Sequence, residues 1–219
     1  MTTANPHGGC VHGYVHGYSA DEARRLGDQA DTLAGLLHGG TAYPPGSRVL
    51  EVGCGVCFVL EHLADPVAAL AALRRVLRPG GTLTVIEGDH GSAFFHPDSA
   101  DARAAIGHLV RLQAAAGGDA LIGRRLHPLL SAAGYAAVRV RPRTVYADRT
   151  RPALAEGFTL DTFTAMVAAV GDDAVAAGLT RRDAFDRGVA DLRRTARADG
   201  TFHYTFFKAV AVNDPAGPS

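Results

Sequence analysis

The spacing of apolar residues along the chain alternates between helical and strand periods. Apolar positions recur at helical spacing over residues 19–37, 66–77, 100–116, 121–133 and 152–197. Short apolar or β-branched runs predict strands at 48–56, 82–88, 137–147 and 201–212. Strands that alternate with helices indicate an α/β fold with a sheet of about four strands.

Local signals mark the ends of several of these elements. Asp65 precedes a proline and predicts the start of a helix, and Asp98 or Ser99 is expected to cap the helix over 100–116. Pro142 lacks a backbone N–H, so its strand is expected at a sheet edge or a bulge. In the last strand, the alternation of aromatic residues leaves Lys208 on the outside.

Composition narrows the class of protein. The 219 residues are 47% hydrophobic and 20% charged, with 22 Lys+Arg against 22 Asp+Glu. This profile is typical of a globular domain, and the absence of a basic surplus argues against nucleic-acid binding. No apolar run reaches the roughly 20 residues of a membrane helix. The polar start and the odd number of cysteines argue against secretion, so a cytoplasmic protein without membrane contact is predicted.

Two segments of the chain resemble the class I S-adenosylmethionine (SAM) dependent methyltransferases. Val49-Leu-Glu-Val-Gly-Cys-Gly55 is similar to the family's first strand and glycine loop. Leu77-Arg-Pro-Gly-Gly-Thr-Leu-Thr-Val-Ile-Glu87, with the helix before it, resembles the stretch from the end of the fourth strand to the fifth. The resemblance implies a Rossmann-like sheet, SAM as cofactor and a small-molecule methyl acceptor, and it makes no prediction of the oligomeric state.

The same resemblance implies where SAM would bind. Glu51 and the loop Gly53-Cys54-Gly55 would hold its amino-acid part, because glycines let the backbone approach a ligand closely. A tight turn without a ligand is the alternative. Tyr18 and Gln29 lie in an N-terminal segment that often covers the cofactor in such enzymes, although a helix that only packs against the sheet is also compatible with the pattern.

The resemblance is interrupted between Val56 and Cys57, where the two blocks are joined directly. Each βαβ step takes on the order of 30 residues, so roughly 60 to 90 residues of the family pattern are missing. Ala71 and Ala72 stand where an acid would bind the ribose. We therefore predict weak or no SAM binding, a joined segment in the place of the family's first or fourth strand, and one sheet face without its covering helices.

Glu87-Gly-Asp-His90 follows the second predicted strand and is expected in a loop at the carboxyl edge of the sheet. His90 is the candidate general base, since the ordinary pKa of histidine lies near neutrality. Asp89 or Glu87 would orient it. A solvated loop whose polar residues cap the next element is the alternative.

The sequence is also compatible with other functions. A non-catalytic remnant or interaction module is the main alternative. Cys54 and Cys57 form a C-x-x-C pair that a redox protein would use, and zinc binding together with Cys10 and His12 has no common spacing, so no metal site is predicted. A dinucleotide oxidoreductase would need a third glycine where Phe58 stands.

One domain is predicted, with four parts. These are an N-terminal helical cap over 1–46, a partial Rossmann-like core over 47–148, a helical lid over 149–198 and a last strand over 199–212.

Overall fold

The computed structural model describes residues 33–43, 45–49 and 56–214. They form a four-stranded sheet in the order β1-β2-β4-β3. Strands β1 and β2 are parallel, and β4 runs antiparallel to both β2 and β3. The strands are β1 (Val56–Cys57), β2 (Thr82–His96), β3 (Ala136–Ala147) and β4 (Thr201–Val212). The predicted α/β fold with a shortened Rossmann-like sheet is confirmed.

Helices connect and cover these strands. The α-helices are α1 (residues 33–38), α2 (Pro66–Val76), α3 (Ala100–Ala115), α4 (Leu126–Ala132), α5 (Ala165–Ala169), α6 (Gly171–Ala176) and α7 (Arg182–Arg194). Two 3-10 helices cover Leu60–His62 and Ile122–Arg125, and a π-helix covers Leu154–Thr164. The helical stretch predicted over 152–197 is therefore helical but broken, with one break at Gly178, where φ is +68°.

The predicted helix starts are confirmed at two positions. The Asp65 side chain accepts a hydrogen bond of 2.9 Å from the Ala68 N–H at the start of α2. Ser99 Oγ accepts one of 3.1 Å from the Ala102 N–H at the start of α3. Each cap satisfies a backbone donor that the first turn of a helix leaves without a partner.

Apolar cores lie on both faces of the sheet. The first face carries Phe202, Tyr204 and Phe206, and packs against α1, α3, α7 and the π-helix. The second face carries Ala209 and Ala211, and packs against α2 and α4. The expectation of a face without covering helices is therefore wrong for the described residues. The reason is that the long segment between β3 and β4 folds back over the first face.

The first predicted strand is misplaced in part. Arg48 and Val49 are not in a strand, and residues 50–55 lie outside the described residues. Instead, the two residues at the junction of the motifs form β1, which pairs with Val85 and Ile86. β1 is followed by a 3-10 helix, α2 and the glycine turn, and it pairs in parallel with β2, which corresponds to the place that the resemblance gives to the family's fourth strand.

β2 is longer than predicted. The sequence suggested a loop from Glu87 onwards, but the strand continues to His96 along β4. Pairing shifts between Asp89, opposite Thr205, and Phe94, opposite His203. This bulge leaves the intervening β2 residues outside the ladder, a feature that often re-aims side chains near functional sites. The long partner strand β4 extends the pairing beyond the predicted end of the strand.

Lys208 is buried, which contradicts its predicted position on the outside. Only 5% of the residue is exposed, because it lies on the first face below the end of α1. Its Nζ donates hydrogen bonds to the Gly39 carbonyl and to Thr41 Oγ1, and Arg143 donates to the same carbonyl. Desolvation, followed by the charge of Arg143, lowers the pKa of Lys208. Both cations thus bind the C-terminal turn of α1, where helix carbonyls lack partners. Pro142 lies on the edge strand β3, as predicted.

Candidate functional site

The three predicted catalytic residues lie together on β2, just beyond the last β1–β2 pair, Cys57 with Ile86. This is the carboxyl end of the parallel pair, where α/β proteins place ligands. The residues are buried rather than solvated: Glu87 is 0%, Asp89 3% and His90 4% exposed. The expected loop at the sheet edge is therefore replaced by a buried strand segment.

The predicted cofactor-binding residues lie outside the described part of the chain: Tyr18, Gln29, Glu51, Gly53, Cys54 and Gly55.

Glu87 binds the turn that follows β1. Its Oε1 accepts hydrogen bonds from the Val59 N–H at 3.1 Å and the Leu60 N–H at 2.8 Å. These bonds satisfy backbone donors at the start of the 3-10 helix. Its Oε2 is buried and has no hydrogen-bond partner among the described residues. Burial, and then the charge of Glu61, raises the pKa of Glu87 well above its ordinary value.

Asp89 forms a bidentate ion pair with Arg124. The Arg124 Nε donates to Oδ2 at 2.7 Å and Nη2 donates to Oδ1 at 2.6 Å. The Gly91 N–H also donates to Oδ1 at 3.0 Å. This fork geometry engages both carboxylate oxygens with a cation. Sequence reasoning missed Arg124, which lay within a predicted helix and carried no motif.

His90 contacts Tyr204 on β4. The Tyr204 hydroxyl lies 3.0 Å from His90 Nδ1, and the Phe163 ring centroid lies 5.9 Å from the imidazole. Burial, followed by the nearby acids Glu61, Asp89 and Glu87, raises the pKa of Tyr204 well above its ordinary value. The hydroxyl therefore stays protonated at neutral pH. The sequence had suggested only strand packing for Tyr204.

The side chains expected to orient His90 are engaged elsewhere. Asp89 binds Arg124, Glu87 binds the turn after β1, and the hydrogen-bond partner of His90 Nδ1 is Tyr204. A base role for His90 stays a prediction, and Tyr204 is the residue that the geometry offers to orient it.

Glu61 and Gln113 complete the polar cluster, and neither was singled out from sequence. Gln113 Nε2 donates to the Glu61 carbonyl at 3.1 Å and to Glu61 Oε2 at 3.2 Å. The Asp119 N–H donates to the same carbonyl at 2.8 Å. These contacts fix the 3-10 helix after β1 against α3 and the loop that follows α3.

Helix α2 carries no acid at the position where the resemblance expects a contact to the ribose. Ala71 and Ala72, which stand where the family's ribose acid is expected, lie within α2. This helix packs its apolar side, including Leu70 and Ala71, against the second face of the sheet. A methyl side chain in that packing cannot accept a ribose hydrogen bond, so this part of the cofactor site is not supplied by α2.

We expect Arg124→Leu to lower the free energy of unfolding by about 1–2 kcal/mol, because it leaves the buried Asp89 carboxylate without its cation. Arg124 itself is half exposed, which keeps the loss below that of a fully buried pair. Urea denaturation measures the change. The matched control is Arg125→Leu, whose exposed pair with Asp119 is expected to contribute about 0–1 kcal/mol. Equal losses in the two variants would contradict a special role of the Asp89 pair.

In the described part of the chain, no group of three or more His, Cys, Asp or Glu side chains is arranged to bind a metal ion. The helices found within these same ranges are all too short or too polar to cross a membrane.

Comparison with known proteins places one part of the chain in a family. Residues 52–85 match the methyltransferase domain family. The chain is also 44% identical over 87 residues to an uncharacterized 37.1 kDa protein in transposon TN4556 of Streptomyces fradiae, covering 39% of this chain and 24% of that protein.

A solved structure is also similar to the chain. Haemonchus contortus phospholethanolamine N-methyltransferase 2, in complex with phosphomonomethylethanolamine and S-adenosylhomocysteine, is 12% identical with a TM-score of 0.36. The match covers 72% of this chain and 32% of that structure. The chain thus spans about a quarter to a third of the length of the proteins it matches. The similarity to the methyltransferase domain family thus rests on residues 52–85.

Proposed function

We propose that this chain is a SAM-dependent methyltransferase by descent, acts on a small molecule, and binds SAM weakly. The observation that carries the proposal is the match of residues 52–85 to the methyltransferase domain. Within this range the described residues form a parallel β1–α2–β2 unit, with Glu87, Asp89 and His90 following its carboxyl end. The zero net charge favours a small acceptor over a nucleic acid.

Methyl transfer is an in-line displacement, and acceptors that carry a proton need a base to remove it. We assign this role to His90, with the Tyr204 hydroxyl 3.0 Å from Nδ1 as its positioning group. In the tautomer that can act as a base, Nδ1–H donates to the Tyr204 hydroxyl oxygen, which holds the ring in place and leaves the lone pair on Nε2 to accept the proton. Asp89 and Glu87 support the same segment through Arg124 and the turn after β1.

The second candidate is a non-catalytic remnant. The burial of His90, at 4% exposed, favours it, because an acceptor would have to reach a residue enclosed by Phe163 and Tyr204. The apolar surroundings of Ala71 favour it as well. Turnover of SAM separates this candidate from the first.

Isothermal titration of SAM into the full chain is expected to show binding weaker than micromolar. Each lost ribose or adenine hydrogen bond contributes about 1 kcal/mol, so several lost contacts reduce the affinity by decades. Residual binding is expected to disappear in Gly53→Val, because the resemblance implies that the backbone of this glycine contacts the cofactor.

The control for that titration is Gly107→Ala, a glycine in α3 around which a Cβ would meet no atom within 4 Å. It is expected to leave the titration unchanged. Micromolar binding by the unmodified chain would show that the cofactor site is intact. No binding and no methyl transfer at millimolar SAM would favour the remnant.

A further inference from the structure

Two carboxyl side chains, Glu61 and Glu87, lie close together beyond the carboxyl end of β1. Glu87 comes from β2, and Glu61 from the 3-10 helix that Glu87 caps. The Val59 and Leu60 N–H groups donate to Oε1, and the Glu61 N–H adds a backbone contact that, like them, lowers the pKa of Glu87. Oε2 is buried without a partner among the described residues. A charged carboxylate oxygen in that position loses its hydration without compensation.

Gln113 donates its amide N–H groups to Glu61 and not to Glu87. Its Nε2 donates to the carbonyl and to Oε2 of Glu61, and both of these atoms are acceptors. The orientation of the amide is therefore determined, and its N–H groups serve Glu61. Glu61 thus keeps a donor for its negative charge, whereas Glu87 Oε2 has none within the described residues.

The charges around Glu87 are predominantly negative. Glu61 lies on the 3-10 helix beside His62, whose Nε2 is 3.6 Å from Glu61 Oε1. Asp89 lies two residues further along β2 and is bonded to Arg124. Tyr204 approaches from β4. The Arg124 guanidinium is therefore engaged by Asp89. Two neighbouring carboxyl groups in a buried site ionise together only at a high cost in free energy.

We propose that Glu87 is protonated at neutral pH while the neighbouring Glu61 stays charged, so that the two side chains together carry a single negative charge. The proton comes from water and removes the uncompensated charge from the buried carboxyl group. The pair then fastens the turn after β1 to β2, and raising the pH loosens this attachment. The raised pKa of Glu87, caused first by burial and then by Glu61, agrees with this arrangement.

The sign of the effect on folding follows from linkage. Because the folded chain holds a proton that the unfolded chain releases above the ordinary glutamate pKa of about 4.3, stability falls as the pH rises from there towards the folded pKa. One such proton lowers the folding equilibrium constant about tenfold per pH unit.

The test is a pH titration of the full chain with ¹³C-labelled glutamate side chains, followed by NMR, together with urea denaturation at each pH. The Glu87 carboxyl signal is expected to titrate well above the ordinary value. The tenfold dependence is expected in the unmodified chain and in Glu156→Gln, an exposed control, and is expected to be lost in Glu87→Gln. An ordinary or lowered titration of Glu87, or a dependence that persists in Glu87→Gln, would overturn the proposal.

A second variant guards against failure of Glu87→Gln to fold. Glu61→Gln removes the neighbouring negative charge, so the Glu87 signal is expected to titrate at lower pH. An unchanged titration in this variant would overturn the proposal that the Glu61 charge helps to hold the proton on Glu87.

Discussion

Replacing Phe163 by alanine is expected to lower the free energy of unfolding by about 3–5 kcal/mol. Phe163 is 1% exposed and belongs to the π-helix that covers the first face of the sheet. Its ring centroid lies 4.9 Å from that of Phe202 and 5.4 Å from that of Tyr204. Truncation leaves a cavity among aromatic rings that are fixed by β4 and cannot collapse into it. Urea denaturation followed by circular dichroism measures the loss.

Phe94→Ala is the matched control, because this phenylalanine is 66% exposed on β2. Its removal leaves no cavity and is expected to change the free energy of unfolding by no more than about 0.5 kcal/mol. A similar loss in both variants would mean that the π-helix does not pack against the sheet as described.

Gly188→Ala is expected to lower the free energy of unfolding, although alanine is the better helix former. A Cβ at this position of α7 would lie 2.4 Å from the Asp101 carbonyl oxygen and 3.0 Å from the Ala105 Cβ of α3. Since the nearest atom belongs to the backbone, the two helices must separate. A steric cost of about 3 kcal/mol exceeds the propensity gain of about 1 kcal/mol and leaves a net loss of about 2 kcal/mol.

The same substitution at Gly107 is expected to have the opposite effect on the free energy of unfolding. This glycine also lies in a helix, and a Cβ there would meet no atom within 4 Å. Gly107→Ala should therefore raise the free energy of unfolding by about 1 kcal/mol. Thermal and urea unfolding of both variants give the comparison, and stabilisation by Gly188→Ala would contradict the close contact between α3 and α7.

The buried polar cluster sets this chain apart from an ordinary sheet core. Asp89 has a cation, His90 has a hydroxyl partner and Glu87 has two backbone donors, so each group on β2 is tied to a different element. Such a network gives the strand segment one defined arrangement, because each buried polar group is costly without its partner. Any acceptor that reaches His90 would therefore meet preorganised groups.

The sequence by itself determined the class of the fold and its relationship to a family. Helical and strand periods identified the major elements, since the apolar side of each must face a core. Asp65, Ser99 and Pro142 marked helix starts and an edge strand through strictly local chemistry. The motif around the glycine turn after α2 identified the methyltransferase segment, which the family match over residues 52–85 confirmed.

The tertiary structure alone decided where the polar groups lie. The sequence predicted a loop after the second strand, but pairing with β4 extended β2 past Glu87, Asp89 and His90 and buried them. Lys208 turned inward because α1 ends above it, a contact between residues far apart in the chain. Arg124, Tyr204, Glu61 and Gln113 carried no local signal, since their roles depend on partners brought close only by folding. Local patterns determine elements, whereas burial and pairing across the sheet determine the site.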